Sequence, residues 1–158
     1  DIQKILQKEK MIVIEPQTKK DSVATALPPL KPVVTTRINE DSVKLAARKK
    51  EILKTIEINS DSVLIELFDD SIVDGDTVSV FINNTLLLNK VSLTSKGLKQ
   101  KIYVSSNSEG TLISMYAENE GSVPPNTGLL IIRERGLKQE IRFTSSGKKT
   151  AAVLLKRK

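Results

Sequence analysis

The sequence predicts an all-β fold, an antiparallel β-sandwich of jelly-roll or Ig-like type, preceded by an N-terminal segment that is extended and in part helical. Three observations predict it. After residue 51, short apolar or alternating runs recur about every eight to twelve positions. The gaps between them hold residues that tolerate positive φ or bond their own backbone. No helical periodicity of comparable strength separates the runs, which disfavours a parallel α/β sheet. At 158 residues, the chain has the length of one ordinary domain with an extension.

The N-terminal third reads differently. Met11-Ile12-Val13-Ile14 is apolar enough for a strand, whereas Pro16, Pro28, Pro29 and Pro32 lie among Lys, Thr and Ser. That mixture favours extended, solvated backbone, so 16–36 is read as a linker or a strap. Asp41 or Ser42 supplies an N-cap ahead of Val43, Ala46, Ala47 and Leu53, an incomplete helical stripe that predicts one short helix within 39–54. Residues 1–50 therefore form an N-terminal extension, and 51–158 form the sandwich. The tripeptide Asp-Ser-Val recurs at Asp21, Asp41 and Asp61. Its surroundings do not match, so it is read as coincidence rather than as a repeat.

Strands are predicted at 52–58, 62–68, 77–82, 86–93, 98–104, 112–117, 129–133, 140–144 and 150–155. In the second, Val63, Ile65 and Leu67 share one face, because successive side chains alternate across a strand. In the third, Val78, Val80 and Ile82 do the same, leaving Thr77, Ser79 and Phe81 opposite. Turns are expected at Asp74-Gly75, Asn83-Asn84, Asn107–Gly110, Arg135-Gly136 and Ser146-Gly147.

Composition narrows the chemistry. Cysteine and histidine are both absent, which removes disulfides, thiolate nucleophiles, imidazole proton transfer and Cys/His zinc sites. Tryptophan is also missing, so aromatic stacking would fall to three Phe and two Tyr. The net charge of +6 gathers in short clusters at Arg48-Lys49-Lys50, Lys148-Lys149 and Lys156-Arg157-Lys158. They lack interleaved aromatics, so a solvated surface is the expectation and nucleic acid is not the expected partner. No apolar run approaches the length of a bilayer span. The expected compartment is outside the cytoplasm (periplasmic, outer-membrane-associated or secreted), with the signal sequence not contained in this chain.

Two stretches stand out. The first runs from Phe68 to Thr77 and carries Asp69, Asp70, Asp74 and Asp76. Turn shaping is the favoured reading of these carboxylates, since Asp bonds nearby backbone N–H groups. The sharper alternative is a metal site, because hard cations such as calcium take oxygen ligands from acidic loops. The register does not fit an EF-hand: with Gly75 in sixth place, Ile72 falls third and Phe81 twelfth. Paired carboxylates could also serve glycoside hydrolysis, but four acids crowded into one turn are poor evidence of it. The second stretch runs from Tyr116 to Gly128. Glu118, Asn119, Asn126 and Thr127 are its candidate ligand-binding residues, able to bond a sugar hydroxyl, a cation or the loop itself.

The two stretches together, Val73-Asp74-Gly75-Asp76-Thr77-Val78-Ser79-Val80 with Asn83, then Tyr116-Ala117-Glu118-Asn119-Glu120-Gly121 and Pro124-Pro125-Asn126-Thr127, carry a resemblance. They resemble an uncharacterised domain of secreted or cell-envelope proteins from Bacteroidetes-type bacteria. The resemblance spans 55–155 and implies a β-sandwich that follows a Pro-rich linker and an N-terminal β domain. Residues 16–32 would be that linker. Asp70-Ser71 stands where Asn-Gly is more usual, and Gly128 where a small side chain is commoner. The resemblance implies fold and compartment and brings no reaction with it. The expected function is thus a non-catalytic, exported interaction or accessory module of the cell envelope, with an envelope protein or glycan as partner. A calcium-assisted carbohydrate-binding module is the alternative.

Overall fold

A computed structural model describes residues 40–70 and 72–158. The strand expected at 11–14 and the linker at 16–36 lie outside the described residues. The described chain runs α1 (Glu40–Ala46), then β1 (Lys49–Ile58), β2 (Ser62–Asp69), β3 (Thr77–Ile82), β4 (Thr85–Ser92), β5 (Leu98–Tyr103), β6 (Thr111–Ala117), β7 (Asn126–Glu134), β8 (Leu137–Ser145) and β9 (Lys149–Arg157). Each strand covers a run predicted from alternation, with ends shifted by a few residues. The starts of β1, β7 and β8 move furthest, to Lys49, Asn126 and Leu137; β8 starts there because the Arg135-Gly136 turn pairs it with β7 from its first residue, Glu134 opposite Leu137. Arg135 and Gly136 have φ of 44° and 84°, and Asn83 and Asn84, with φ of 47° and 69°, close the β3–β4 hairpin similarly. Paired positive φ values match the twist of two-residue hairpins.

The strands form two sheets. One has five strands in the order β1-β9-β6-β3-β4, the other four in the order β5-β2-β7-β8. The two sheets face each other across a shared core, which makes the fold an all-β sandwich. Its inner faces meet in one cluster that includes Val63, Ile65, Leu67, Val78, Val80, Ile113, Met115, Leu130, Ile132, Val153 and Leu155. Within the sheets every pair is antiparallel except one. β1 runs parallel to β9, from Lys49 opposite Lys149 to Ile58 opposite Arg157. The helical stripe therefore stops early: α1 ends at Ala46, and Lys49 and Lys50 are already in the sheet.

A second, smaller core lies on the outer face of the five-stranded sheet. Leu45 of α1 is fully buried against Phe81 and Tyr116, with Leu86 beside them. The two rings meet edge to face at 6.2 Å. Arg48 anchors the helix–strand junction. Its guanidinium stacks 3.6 Å over the Tyr116 ring and donates from Nη1 to the carbonyls of Ala117 (2.7 Å) and Ser146 (3.0 Å). Lysine cannot reproduce this, having neither the planar face nor the fork. Arg48→Lys and Arg48→Ala are both expected to destabilise the domain by about 1–3 kcal/mol, measured by urea unfolding. Equal stability of Arg48→Lys and wild type would show that the stacking and the fork contribute nothing.

The positive charge spreads along strand edges rather than concentrating. Lys99 and Lys101 lie on edge strand β5, Lys138 and Arg142 on edge strand β8, and Lys49, Lys50 and Lys54 on edge strand β1. Charged side chains on edges discourage pairing with another sheet.

Candidate functional site

Both distinctive stretches meet at one end of the sandwich. The β2–β3 connection, 70–76, and the β6–β7 connection, 118–125, come from the two strands that flank β3 and β7 in different sheets. Thr77 starts β3 opposite Glu118, whose N–H donates to the Thr77 carbonyl, and Asn126 starts β7 opposite Ser145. The loops are therefore brought face to face by the packing of the sheets, and their polar residues close the gap.

Asp74, Asp76, Asn119, Ser122 and Asn126 make the closure, and Glu118 and Glu120 bond neighbouring elements. Asp74 accepts from Val123 N–H through Oδ2 (2.9 Å), and its carbonyl accepts from the N–H and hydroxyl of Ser122. Asp76 Oδ2 accepts from Thr127 N–H at 2.9 Å. Asn119 accepts from Thr77 N–H at 2.8 Å and donates to the Gly75 carbonyl at 3.0 Å. Asn126, fully buried, donates to the carbonyls of Thr77 and Asn119. Glu118 accepts from Ser79 Oγ at 2.5 Å, and that hydroxyl in turn accepts from Lys90 N–H across the β3–β4 irregularity. Glu120 caps Gly147 N–H at 2.7 Å. These are the Asx and side-chain-to-backbone bonds that turn chemistry predicts.

Of the sequence-predicted residues, the fold brings together Asp74, Asp76, Asn119, Asn126 and Thr127. Asp69 ends β2 opposite Gly128, near enough for its charge to act on Asp76. Asp70 is drawn elsewhere. Its Oδ1 lies 2.7 Å from Arg142 Nη1 on β8. Glu118 turns to Ser79, away from the loop pair.

The electrostatics of the pair are uneven. Asp76 is only 2% exposed, and burial pushes its carboxyl above the ordinary carboxylate range. The Thr127 N–H opposes that, while the negative charges of Asp74 and Asp69 and contact with the Asp74 carboxyl add to it. Two oxygens are left over: Asp74 Oδ1 and Asp76 Oδ1 are buried and accept no hydrogen bond. They point at one place. A Cβ on Gly121 would stand 2.6 Å from each of them, so the backbone of Gly121 packs closely over the pair and leaves no room for a side chain. Gly121 has φ +59°, in the left-handed region that glycine adopts without steric cost. Among the described residues, no group of three acidic side chains is placed to hold a metal ion.

Beside this braced centre lies an apolar rim that the sequence reading missed. Ile72, Val73 and Val123 are 80%, 53% and 68% exposed. Ile72, Val123, Pro124 and Pro125 line a cleft of about 330 Å³ with Asp70, Asp74 and Thr127, and the Pro124–Pro125 peptide is cis. A visible signal existed, since Ile72-Val73 and Val123 interrupt otherwise polar loops.

Comparison with protein-family models, curated proteins and solved structures finds no match to this chain.

Proposed function

We propose that this chain is a non-catalytic, exported interaction or accessory module of the cell envelope, and that it meets a partner protein through the apolar rim of its braced loop end. The observation that carries the reading is the division of labour there. The polar side chains are spent on holding two loops together, while Ile72, Val73 and Val123 are turned to solvent around a proline-lined cleft. Exposed apolar residues that cluster mark contact sites more often than scattered ones do. Loops held by a rigid sandwich keep such a rim in one shape, which lowers the ordering cost of binding. The absence of Cys and His, together with the engagement of Glu118, Asn119 and Asn126, leaves few groups for acid–base or nucleophilic work. Export rests on the resemblance of the two loop motifs to envelope proteins.

The test is retention of the exported chain by an envelope fraction. Ile72→Asp with Val123→Asp is expected to weaken retention about ten-fold or more while leaving thermal unfolding nearly unchanged, because both positions are exposed. Unchanged retention would end the rim's role. Turnover of a hydrolase substrate, lost in Asp74→Ala or Glu118→Ala, would make the module an enzyme. Binding to a glycan array that survives both rim substitutions would replace the reading with carbohydrate recognition.

A further inference from the structure

Asp74 and Asp76 bring two carboxyl groups into contact at the loop end. Asp76 is 2% exposed, and the Oδ1 atoms of both residues are buried without a hydrogen bond. Each lies 2.6 Å from the point where a Cβ on Gly121 would stand, so the two are neighbours beneath that residue's backbone. The Oδ2 atoms are already taken, by the N–H groups of Val123 and Thr127. The surroundings offer no relief. Asp69 at the end of β2 adds negative charge, Arg142 on β8 is drawn to Asp70, Glu118 and Glu120 of the β6–β7 loop bond Ser79 and Gly147, and β7 presents the uncharged Thr127 N–H. Among the described residues no basic side chain pairs with either carboxyl. Two ionised carboxylates in contact repel, and each bare oxygen carries the cost of burial. One added proton turns that repulsion into an O–H···O⁻ hydrogen bond, which is among the strong ones.

We propose that Asp74 and Asp76 share one proton between their Oδ1 atoms, making the junction of the β2–β3 and β6–β7 loops a latch that is closed while the proton is held and loosened when it leaves. The latch joins the two loops directly, since Asp74 holds Ser122 and Val123, and Asp76 holds Thr127. Burial first, then the charges of Asp74 and Asp69 and the contact with the Asp74 carboxyl, favour the protonated form of Asp76 and outweigh the Thr127 N–H. Its folded pKa is thus raised above the ordinary 3.8. The latch's contribution to stability is fully present below that unfolded value and is lost as the pH rises through the higher folded one. Glu134 and Glu66 run the opposite way, because their folded values are lowered. The latch is made of carboxyl oxygens and the rim of apolar side chains, so either can fail while the other holds.

Carbon-13 NMR of the aspartate carboxyls in the full-length chain, followed from about pH 3 to about pH 9, reads the titration of the pair directly. One midpoint of the pair above 3.8 is expected. Asp74→Asn is expected to lower that midpoint by about one pH unit, since it removes the neighbouring charge. Thermal unfolding reads the latch. Asp76→Asn keeps an oxygen for the Thr127 N–H and offers a permanent N–H to Asp74, so it imitates the protonated acid at every pH. Its Tm is expected to lie close to that of wild type at about pH 4 and to exceed it by roughly 3–6 °C at about pH 8. A gap between the two proteins that does not change with pH would overturn the latch, as would a wild type in which both carboxyls titrate at or below 3.8. An unchanged midpoint in Asp74→Asn would overturn it as well, leaving the burial of Asp76 to act alone. Should Asp76→Asn not fold, the wild-type midpoints and their change in Asp74→Asn decide.

Discussion

Phe143→Ala is expected to lower the unfolding free energy by about 3–5 kcal/mol, among the largest effects of any single side chain here. Phe143 on β8 is 2% exposed and pairs with Gly128 on β7. Its ring covers that glycine. A Cβ on Gly128 would stand 2.6 Å from Phe143 Cε1 and 3.0 Å from Leu93 Cδ1. Here Gly128 is required by close approach, not by φ. Gly128→Ala is accordingly expected to cost about 1–3 kcal/mol through overpacking. The double substitution should cost less than the sum, because the new methyl group partly fills the space the ring vacates and no longer meets it. Urea unfolding of the four proteins measures the coupling. Strict additivity would mean that the ring is free to move aside and does not hold the β7–β8 pair over the core.

Glu134→Ala is expected to cost about 2–4 kcal/mol, from an interaction the sequence does not advertise. Glu134 ends β7 and is 8% exposed. Its Oε1 accepts from the N–H groups of Asn59 (2.7 Å) and Ser60 (2.6 Å), which turn the chain from β1 in one sheet to β2 in the other. Removing the carboxylate leaves both donors without an acceptor. Glu134→Gln keeps an oxygen but not the charge and should cost roughly half as much. Burial pushes the Glu134 carboxyl up, yet the hydrogen bonds from Ser60 and Asn59, with Arg135 nearby, outweigh it and hold the group below its ordinary value of 4.5. The folded pKa is thus depressed. The stabilisation is fully present above the unfolded pKa near 4.5 and disappears as the pH falls through the lower folded value. Glu66 behaves alike, held down first by Arg133 and further by Lys99 against the cost of burial. Wild type should lose stability below about pH 4.5, and Glu134→Ala should lose less over the same interval. Parallel pH profiles for the two proteins would refute the role of Glu134.

The predicted strands came from signals that are local in the chain. Alternation in Ser62–Asp69 and Thr77–Ile82 tells which side chains share a face, and Asn83-Asn84 and Arg135-Gly136 announce turns through the φ they tolerate. Sheet order does not follow from such signals. The parallel pairing of β1 with β9 joins residues about a hundred positions apart, and it converts Lys49 and Lys50 from the tail of an expected helix into sheet edge. Phe81 shows the same limit: alternation puts it opposite the core, and only Leu45 of α1 arriving on that face buries it.

The loop end divides similarly. Its residue types alone identified Asp69, Asp70, Asp74, Asp76, Glu118, Asn119, Asn126 and Thr127 as polar groups with work to do, and the absence of Cys, His and Trp bounded what that work could be. Which carboxylate turns where was decided in three dimensions. Asp70 is drawn to Arg142, whereas Asp74 and Asp76 converge under Gly121, more than forty residues away in sequence. A side chain's direction within a loop depends on donors and charges supplied by other strands, and those are in place only once both sheets have packed.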